Sequence, residues 1–166
     1  LIGEHTDYNQ GYVLPMALDL GLRVAARSRG DGKLRAWAAD LGMELLLDPA
    51  DAASLPALPA GHPGRYLLAV QAALRQAGLA AGGANLWIQG DLPRGAGLSS
   101  SAALELALAR AWCALEGWAW EARAMALLCQ RAEREGVGVQ CGLMDQAAVA
   151  WSSPGCALFL DCRSLE

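Results

Sequence analysis

The chain has 166 residues, 54% of them hydrophobic; that length suits one domain, and about 70% of the unfolded surface of such a domain is buried without disulfides or structural metal. The formal charge is −4, the arginines are scattered and Lys33 is the single lysine, so no basic cluster marks a nucleic-acid partner. No apolar run reaches the ~18 residues of a membrane span, the longest being cut by Glu105 and Arg110.

In chain order, residues 1–12 are polar and turn-rich and end in Asn9-Gln10-Gly11. Residues 13–27 read as extended apolar chain, with Leu22, Val24 and Ala26 alternating near Arg23 and Arg27 as on a half-buried strand. Arg29-Gly30-Asp31-Gly32 predicts a hairpin turn into a strand over Lys33–Ala38. Met43–Leu47 is a third strand, and residues 48–64, with Pro49, Pro56, Pro59 and Pro63, form a loop. A helix follows over Arg65–Gln76, ended by Gly78, then a strand over Ala84–Gln89. Leu98, Ala102, Leu106, Ala109 and Leu115 recur at helical spacing across 98–115. Glu121–Glu135 is another helix, stopped by Gly136 and Gly138; Met144–Ala150 is a short one, and Cys156–Asp161 a final strand. Strands first and helices later give an α+β class. The five cysteines, Cys113, Cys129, Cys141, Cys156 and Cys162, are odd in number and contain no C-x-x-C pair. Buried thiols in a reducing cytoplasm are expected, rather than a disulfide framework or a zinc site.

Three stretches carry chemistry. PRGAGLSSSAALE, residues 93–105, places a glycine-rich turn and three serines between a strand and a helix. The first N–H groups of a helix lack internal partners and its dipole puts about half a positive charge there, so such a turn can cradle phosphate. Serine hydroxyls add donors, or ligate the Mg²⁺ that accompanies nucleotide phosphates. No G-K-[ST] follows, so this is not a Walker motif. The same residues also fit a plain strand-to-helix turn with Ser99 as N-cap.

Glu133 and Asp145 stand twelve positions apart. The glycines between them can let the chain fold back and bring both to one site, where one carboxylate accepts a hydroxyl proton and the other holds Mg²⁺. The plainer alternative makes Glu133 a solvated helix position and Asp145 an N-cap. In LIGEHTDYNQGYVLP, Glu4, His5, Asp7 and Asn9 crowd polar groups into six residues, which suits a ligand with many hydroxyls, or an exposed turn. His62, beside Pro63 and outside any cluster, reads as structural.

LIGEHTDYNQGYVLP, PRGAGLSSSAALE, CQRAEREGVGVQCGLMDQ and the closing DCRSLE, in this order over nearly the whole chain, resemble the galactokinases of the GHMP small-molecule kinase family. The resemblance implies a GHMP kinase N-terminal domain related to ribosomal protein S5 domain 2, a mixed sheet with helices packed on one side. It implies phosphoryl transfer from ATP to the anomeric hydroxyl of galactose in the cytoplasm; the sequence leaves the oligomeric state open, with a monomer the expectation. Residue by residue, Asp145 matches the catalytic base, and Ser101 and Glu133 the Mg²⁺ ligands. Gly95, Ala96, Gly97, Leu98, Ser99, Ser100 and Ser101 match the loop around the ATP phosphates. Glu4, His5, Thr6 and Asp7 match the galactose-binding segment, with Gly142 lining the same pocket. Thr6 favours galactose over amino sugars, whose kinases tend to carry isoleucine there.

The family's arginine that pairs with the catalytic aspartate would precede Leu1. Its sugar-contacting tyrosine and third glycine-rich motif would follow Glu166. The family's aromatic residue that stacks on adenine would fall near Pro63, a position that carries proline here. Residues 1–166 are therefore expected to be an N-terminal domain truncated at both ends, with little activity alone. The alternatives are a kinase for N-acetylgalactosamine or another sugar, and a galactose-binding regulator without catalysis.

Overall fold

The computed structural model describes residues 2–50, 58–93 and 96–166. Its elements are β1 (Tyr12–Val13), β2 (Leu22–Arg29), β3 (Leu34–Ala38), β4 (Met43–Leu47), α1 (Pro63–Gln76), β5 (Gly83–Gly90), α2 (Ser100–Glu116), α3 (Ala122–Arg131), a π-turn (Ala132–Val137), α4 (Met144–Trp151) and β6 (Leu160–Asp161). Two short 3₁₀ turns, Asp7–Asn9 and Ala39–Leu41, complete the set.

A mixed four-stranded sheet runs in the order β2-β5-β3-β4. Alternation fixes its faces. In β3, Leu34, Ala36 and Ala38 are buried while Arg35 and Trp37 are exposed. In β5, Leu86 and Ile88 point into the core and Trp87 points out. The helices pack on the inner face only, where Leu67, Val70 and Leu74 of α1 and Leu106, Ala109 and Trp112 of α2 meet the sheet. The outer face carries Arg23, Arg35, Trp37, Leu46 and Trp87. This is the α+β arrangement expected from the sequence.

The predicted hairpin is corrected. The turn after β2 exists, but β5 lies between β2 and β3, antiparallel to the first and parallel to the second. Arg29 reaches across from β2, donating from Nη1 to Asn85 Oδ1 of β5 at 2.8 Å, and Ala84 N–H donates to the Lys33 carbonyl at 3.0 Å. Gly and Asp in a turn bend the chain without choosing its neighbour. In its interior place β5 sets Ala84, Leu86 and Ile88 on the core face, where burial stabilises the sheet.

Three other boundaries differ. Of residues 13–27 only Val13 and Leu22–Arg27 are strand, the chain between being a crossing segment held by a Met16–Ala157 bridge. The last strand shrinks to Leu160–Asp161, paired with β1 over a second small core of Val13, Ala126, Leu143, Ala147 and Leu160. The helix predicted over 121–135 ends as α-helix at Arg131 and continues as the π-turn. His62 is structural: its Nδ1 accepts the Gly64 N–H at 3.1 Å and caps α1, with Pro63 in the first turn. All five cysteines are free, but only Cys113 and Cys129 are buried; Cys141 and Cys162 are half-buried and Cys156 is exposed. No helix among the described residues is long and apolar enough to cross a membrane.

Candidate active site

An open cleft of about 910 Å³ lies where the glycine–serine turn, the opening segment and the start of α4 meet. Glu4, His5, Asp7, Gly97, Leu98, Ser99, Gly142 and Asp145 all line it.

The glycine–serine turn presents backbone. Ser99 takes the N-cap position of α2 in left-handed conformation (φ 52°), and its side chain makes no cap bond. The first N–H bonded to this position is that of Ala103, to the Ser99 carbonyl at 3.0 Å. The N–H groups of Ser100, Ser101 and Ala102 precede it and have no carbonyl in a preceding turn. Ser99 lies beside Asp145, and its hydroxyl favours the ionised form of that carboxyl. Ala96, Gly97 and Ser100 are exposed and Ser101 is half-buried; Ser101 does not line the cleft itself. Gly95, the remaining residue of the expected phosphate loop, lies outside the described residues.

The opening segment is a compact knot. The Thr6 hydroxyl bridges the carbonyls of Gly3 (2.8 Å) and Tyr12 (2.9 Å), so it braces the loop and does not line the cleft. Asn9 Nδ2 donates to the His5 carbonyl at 2.7 Å, and His5 Nδ1 is hydrogen-bonded to the Tyr8 hydroxyl. Asp7 reaches across the fold: its Oδ2 accepts the Met144 N–H at 3.3 Å. Gly142 makes that approach possible, since a Cβ there would lie 1.7 Å from Asp7 Oδ2.

The π-turn inserts Glu133 into the interior. Gly136 packs against α1 so closely that a Cβ on it would lie 2.4 Å from the Ala69 Cβ. One extra residue per turn rotates the helix face, and such bulges recur at functional sites. Glu133 is 4% exposed, not a solvated helix position. Its Oε2 accepts from Gln146 Nε2 at 2.8 Å, and the same nitrogen donates to Glu105 Oε2 at 3.1 Å. Asp145 is the second residue of α4, not its N-cap, which is Leu143.

The charges here are nearly all negative. Burial raises the Asp145 carboxyl above its ordinary value; the Ser99 hydrogen bond opposes this, and Glu133, Asp7 and Glu4 add to the rise. Burial, with help from Glu133, pushes Glu105 up to about 9. Burial and Glu133 also push the Cys141 thiol up to about 12, so it stays a thiol. Among the described lining residues Arg110 is the single arginine or lysine, and its guanidinium lies 5.0 Å from the Trp120 ring centroid.

Glu105 and Gln146 were not among the sequence candidates. A signal for Glu105 exists: it shares the buried face of α2 with Ala102, Ala109 and Trp112, an odd place for a carboxyl. Gln146 carries no such signal, because glutamine beside an aspartate at a helix start is ordinary.

The chain belongs to the GHMP kinases: the family model described as GHMP kinases N terminal domain matches residues 65–153. The galactokinase galactose-binding signature matches residues 1–28. The chain is 47% identical over 167 residues to a galactokinase of Roseiflexus sp. (strain RS-1), covering 99% of this chain and 41% of the relative. It is 44% identical over 177 residues to a galactokinase of Streptomyces coelicolor, covering 100% and 42%. Among solved structures it matches Lactococcus lactis galactokinase complexed with galactose, with TM-score 0.88, 32% identity, and coverage of 99% of this chain and 42% of that one. The Methanococcus jannaschii mevalonate kinase shares the fold at TM-score 0.75 and 18% identity, over 97% of this chain and 50% of that one. The chain thus spans about two fifths of the length of the curated relatives it matches.

Proposed function

We propose that the full-length protein is a galactokinase, moving the γ-phosphoryl group of ATP to the C1 hydroxyl of galactose and yielding α-galactose 1-phosphate and ADP. One observation carries this reading. Asp145, half-buried, shares a cleft with Ser99 of the glycine–serine turn and with Glu4, His5 and Asp7. A proton acceptor, a phosphate-facing helix start and a polar sugar-sized surface therefore meet at one place. The galactokinase signature over residues 1–28 supports the choice of sugar.

Asp145 takes the proton of the C1 hydroxyl as that oxygen bonds to the γ-phosphorus and the bond to the ADP oxygen breaks. Burial makes its carboxylate more basic than a solvated one, which suits this role. Glu4, His5 and Asp7 hold the sugar hydroxyls, and the turn from Ala96 to Ser101 lays N–H and hydroxyl donors against the phosphates. Mg²⁺ is the ion that the kinase reading implies, and no group of three His, Cys, Asp or Glu side chains placed to hold a metal occurs among the described residues. Glu105 and Glu133 are buried and joined through one nitrogen of Gln146. Glu105 Oε1 is buried without a partner. Glu133 and Ser101 would hold the ion, which supplies neutralisation of phosphate charge when bound. A cytoplasmic location agrees with five free thiols.

The test is ADP release by the full-length protein across a sugar panel, with Asp145→Asn alongside. Galactose should give the highest kcat/KM. The variant should lose about 10²–10⁴ in kcat while still binding galactose. No turnover with galactose refutes the reading; a preference for N-acetylgalactosamine refutes the substrate alone. Turnover that survives Asp145→Asn refutes the assigned base.

A further inference from the structure

The entry into α4 lacks the usual support. Its N-cap, Leu143, offers no side-chain cap, and the helix has only eight residues. Two long-range polar contacts flank Asp145 instead. On one side the Met144 N–H donates to Asp7 Oδ2 at 3.3 Å, tying the helix start to the opening segment. On the other, the fully buried Gln146 donates from Nε2 to Glu133 Oε2 at 2.8 Å and to Glu105 Oε2 at 3.1 Å. Asp145 thus stands between an anchor on the sugar side and an anchor on the Glu133 side.

We propose that Gln146 is a positioning residue of the phosphoryl-transfer site: its carboxamide nitrogen uses both hydrogens to clasp Glu105 of α2 and Glu133 of the π-turn, and so sets where Asp145 stands relative to Glu133. This rests on the kinase reading above. The residue type follows from the chemistry. A carboxamide puts two N–H groups on one neutral atom and can bridge two carboxyl oxygens. Glutamate there would set a third carboxyl against two. Methionine has nearly the same length and no donor. The lever is short, since Gln146 adjoins the acid it positions, and a displacement of about 1 Å at a reacting group can cost roughly 100-fold in rate.

The experiment uses the full-length protein and three variants. Gln146→Met removes both donors. Glu105→Gln with Gln146→Glu keeps a hydrogen bond between positions 105 and 146 but turns a carboxylate toward Glu133. Gln146→Asn keeps both N–H groups on a side chain one methylene shorter, and reads the same question if the methionine form does not fold. Melting temperature, kcat, KM and equilibrium galactose binding are measured for each. Gln146→Met should lower kcat roughly 10- to 100-fold and leave galactose affinity within about twofold of wild type. Gln146→Asn should lower kcat by a smaller factor in the same direction. The exchanged pair should recover neither the full melting temperature nor kcat, because it sets a carboxyl against Glu133 where the donor was, whereas a mere splice between α2 and α4 would be restored by it. The inference is overturned if Gln146→Met or Gln146→Asn keeps kcat within twofold, if galactose affinity falls in step with kcat, or if the exchanged pair restores both. Wild-type turnover of galactose is the control: its absence refutes the kinase reading, whereas normal wild-type turnover with an indifferent Gln146→Met refutes this inference alone.

Discussion

Gly142→Ala isolates the contact that lets Asp7 reach the start of α4 at the cleft wall. The backbone of Gly142 lies outside the left-handed region, so alanine meets no conformational penalty there. The new Cβ, however, would lie 1.7 Å from Asp7 Oδ2, 2.0 Å from its Cγ and 2.5 Å from its Oδ1. All three atoms belong to one carboxyl group at the end of a side chain. The carboxyl therefore moves and the two backbones stay. Overpacking of this kind costs about 1–3 kcal/mol of stability, a melting shift of a few degrees. The functional cost is larger in proportion. Asp7 loses the Met144 N–H and its place at the cleft wall. A hydrogen bond to a charged group contributes about 1.5–3 kcal/mol, and each 1.4 kcal/mol is tenfold, so KM for galactose should rise roughly 10- to 150-fold. The assay is galactose saturation of the full-length enzyme at fixed ATP, for Gly142→Ala, Asp7→Ala and the double variant. Asp7→Ala leaves the Cβ room, so the second substitution should add little in that background. A KM within twofold of wild type in Gly142→Ala, or full additivity in the double variant, refutes the reasoning.

Two further predictions concern the buried acids and their support. Gly136→Ala drives a Cβ to 2.4 Å from the Ala69 Cβ and 3.1 Å from its Cα, where neither neighbour can swing away; urea unfolding should show a loss of about 1–3 kcal/mol, and an unmoved midpoint contradicts the close packing of α1 on the π-turn. Burial holds the Glu105 carboxyl at about 9 against an ordinary 4.5, so the native state binds an extra proton between those values. Its contribution to stability is then complete below 4.5 and is lost as pH rises to about 9. Glu105→Gln removes that loss: in buffer free of divalent ions, the variant should gain on wild type steadily across the window, and a flat difference would falsify the uncompensated buried acid.

Much of the site was legible because its chemistry is local. The start of α2 could be read from a run of small residues giving way to helical spacing at Leu98, Ala102 and Leu106. Glu133 and Asp145 could be paired because two glycines interrupt the helix between them. The Ser99 hydroxyl was harder. As an N-cap it would serve its own helix, and only the fold shows that it makes no cap bond and shares a cleft with Asp145, 46 positions away. The π-turn was unreadable for a related reason. Whether Gly136 ends a helix or lets it widen into a π-turn depends on Ala69 of α1, a residue no window around 136 contains.

The sequence by itself determined the elements with a clear period: β3, β4, α1, α2 and the body of α3. Alternation and helical spacing are properties of neighbours along the chain. It also placed three polar motifs in order, since their residue types have few other uses together. The tertiary structure alone decided that β5 enters between β2 and β3, because sheet order is chosen by burial of whole faces and not by turn residues. It decided too that one amide of Gln146 would join carboxyls 41 and 13 positions distant. Buried polar groups must find partners wherever packing brings them, and that search runs through space, where a sequence window has no reach.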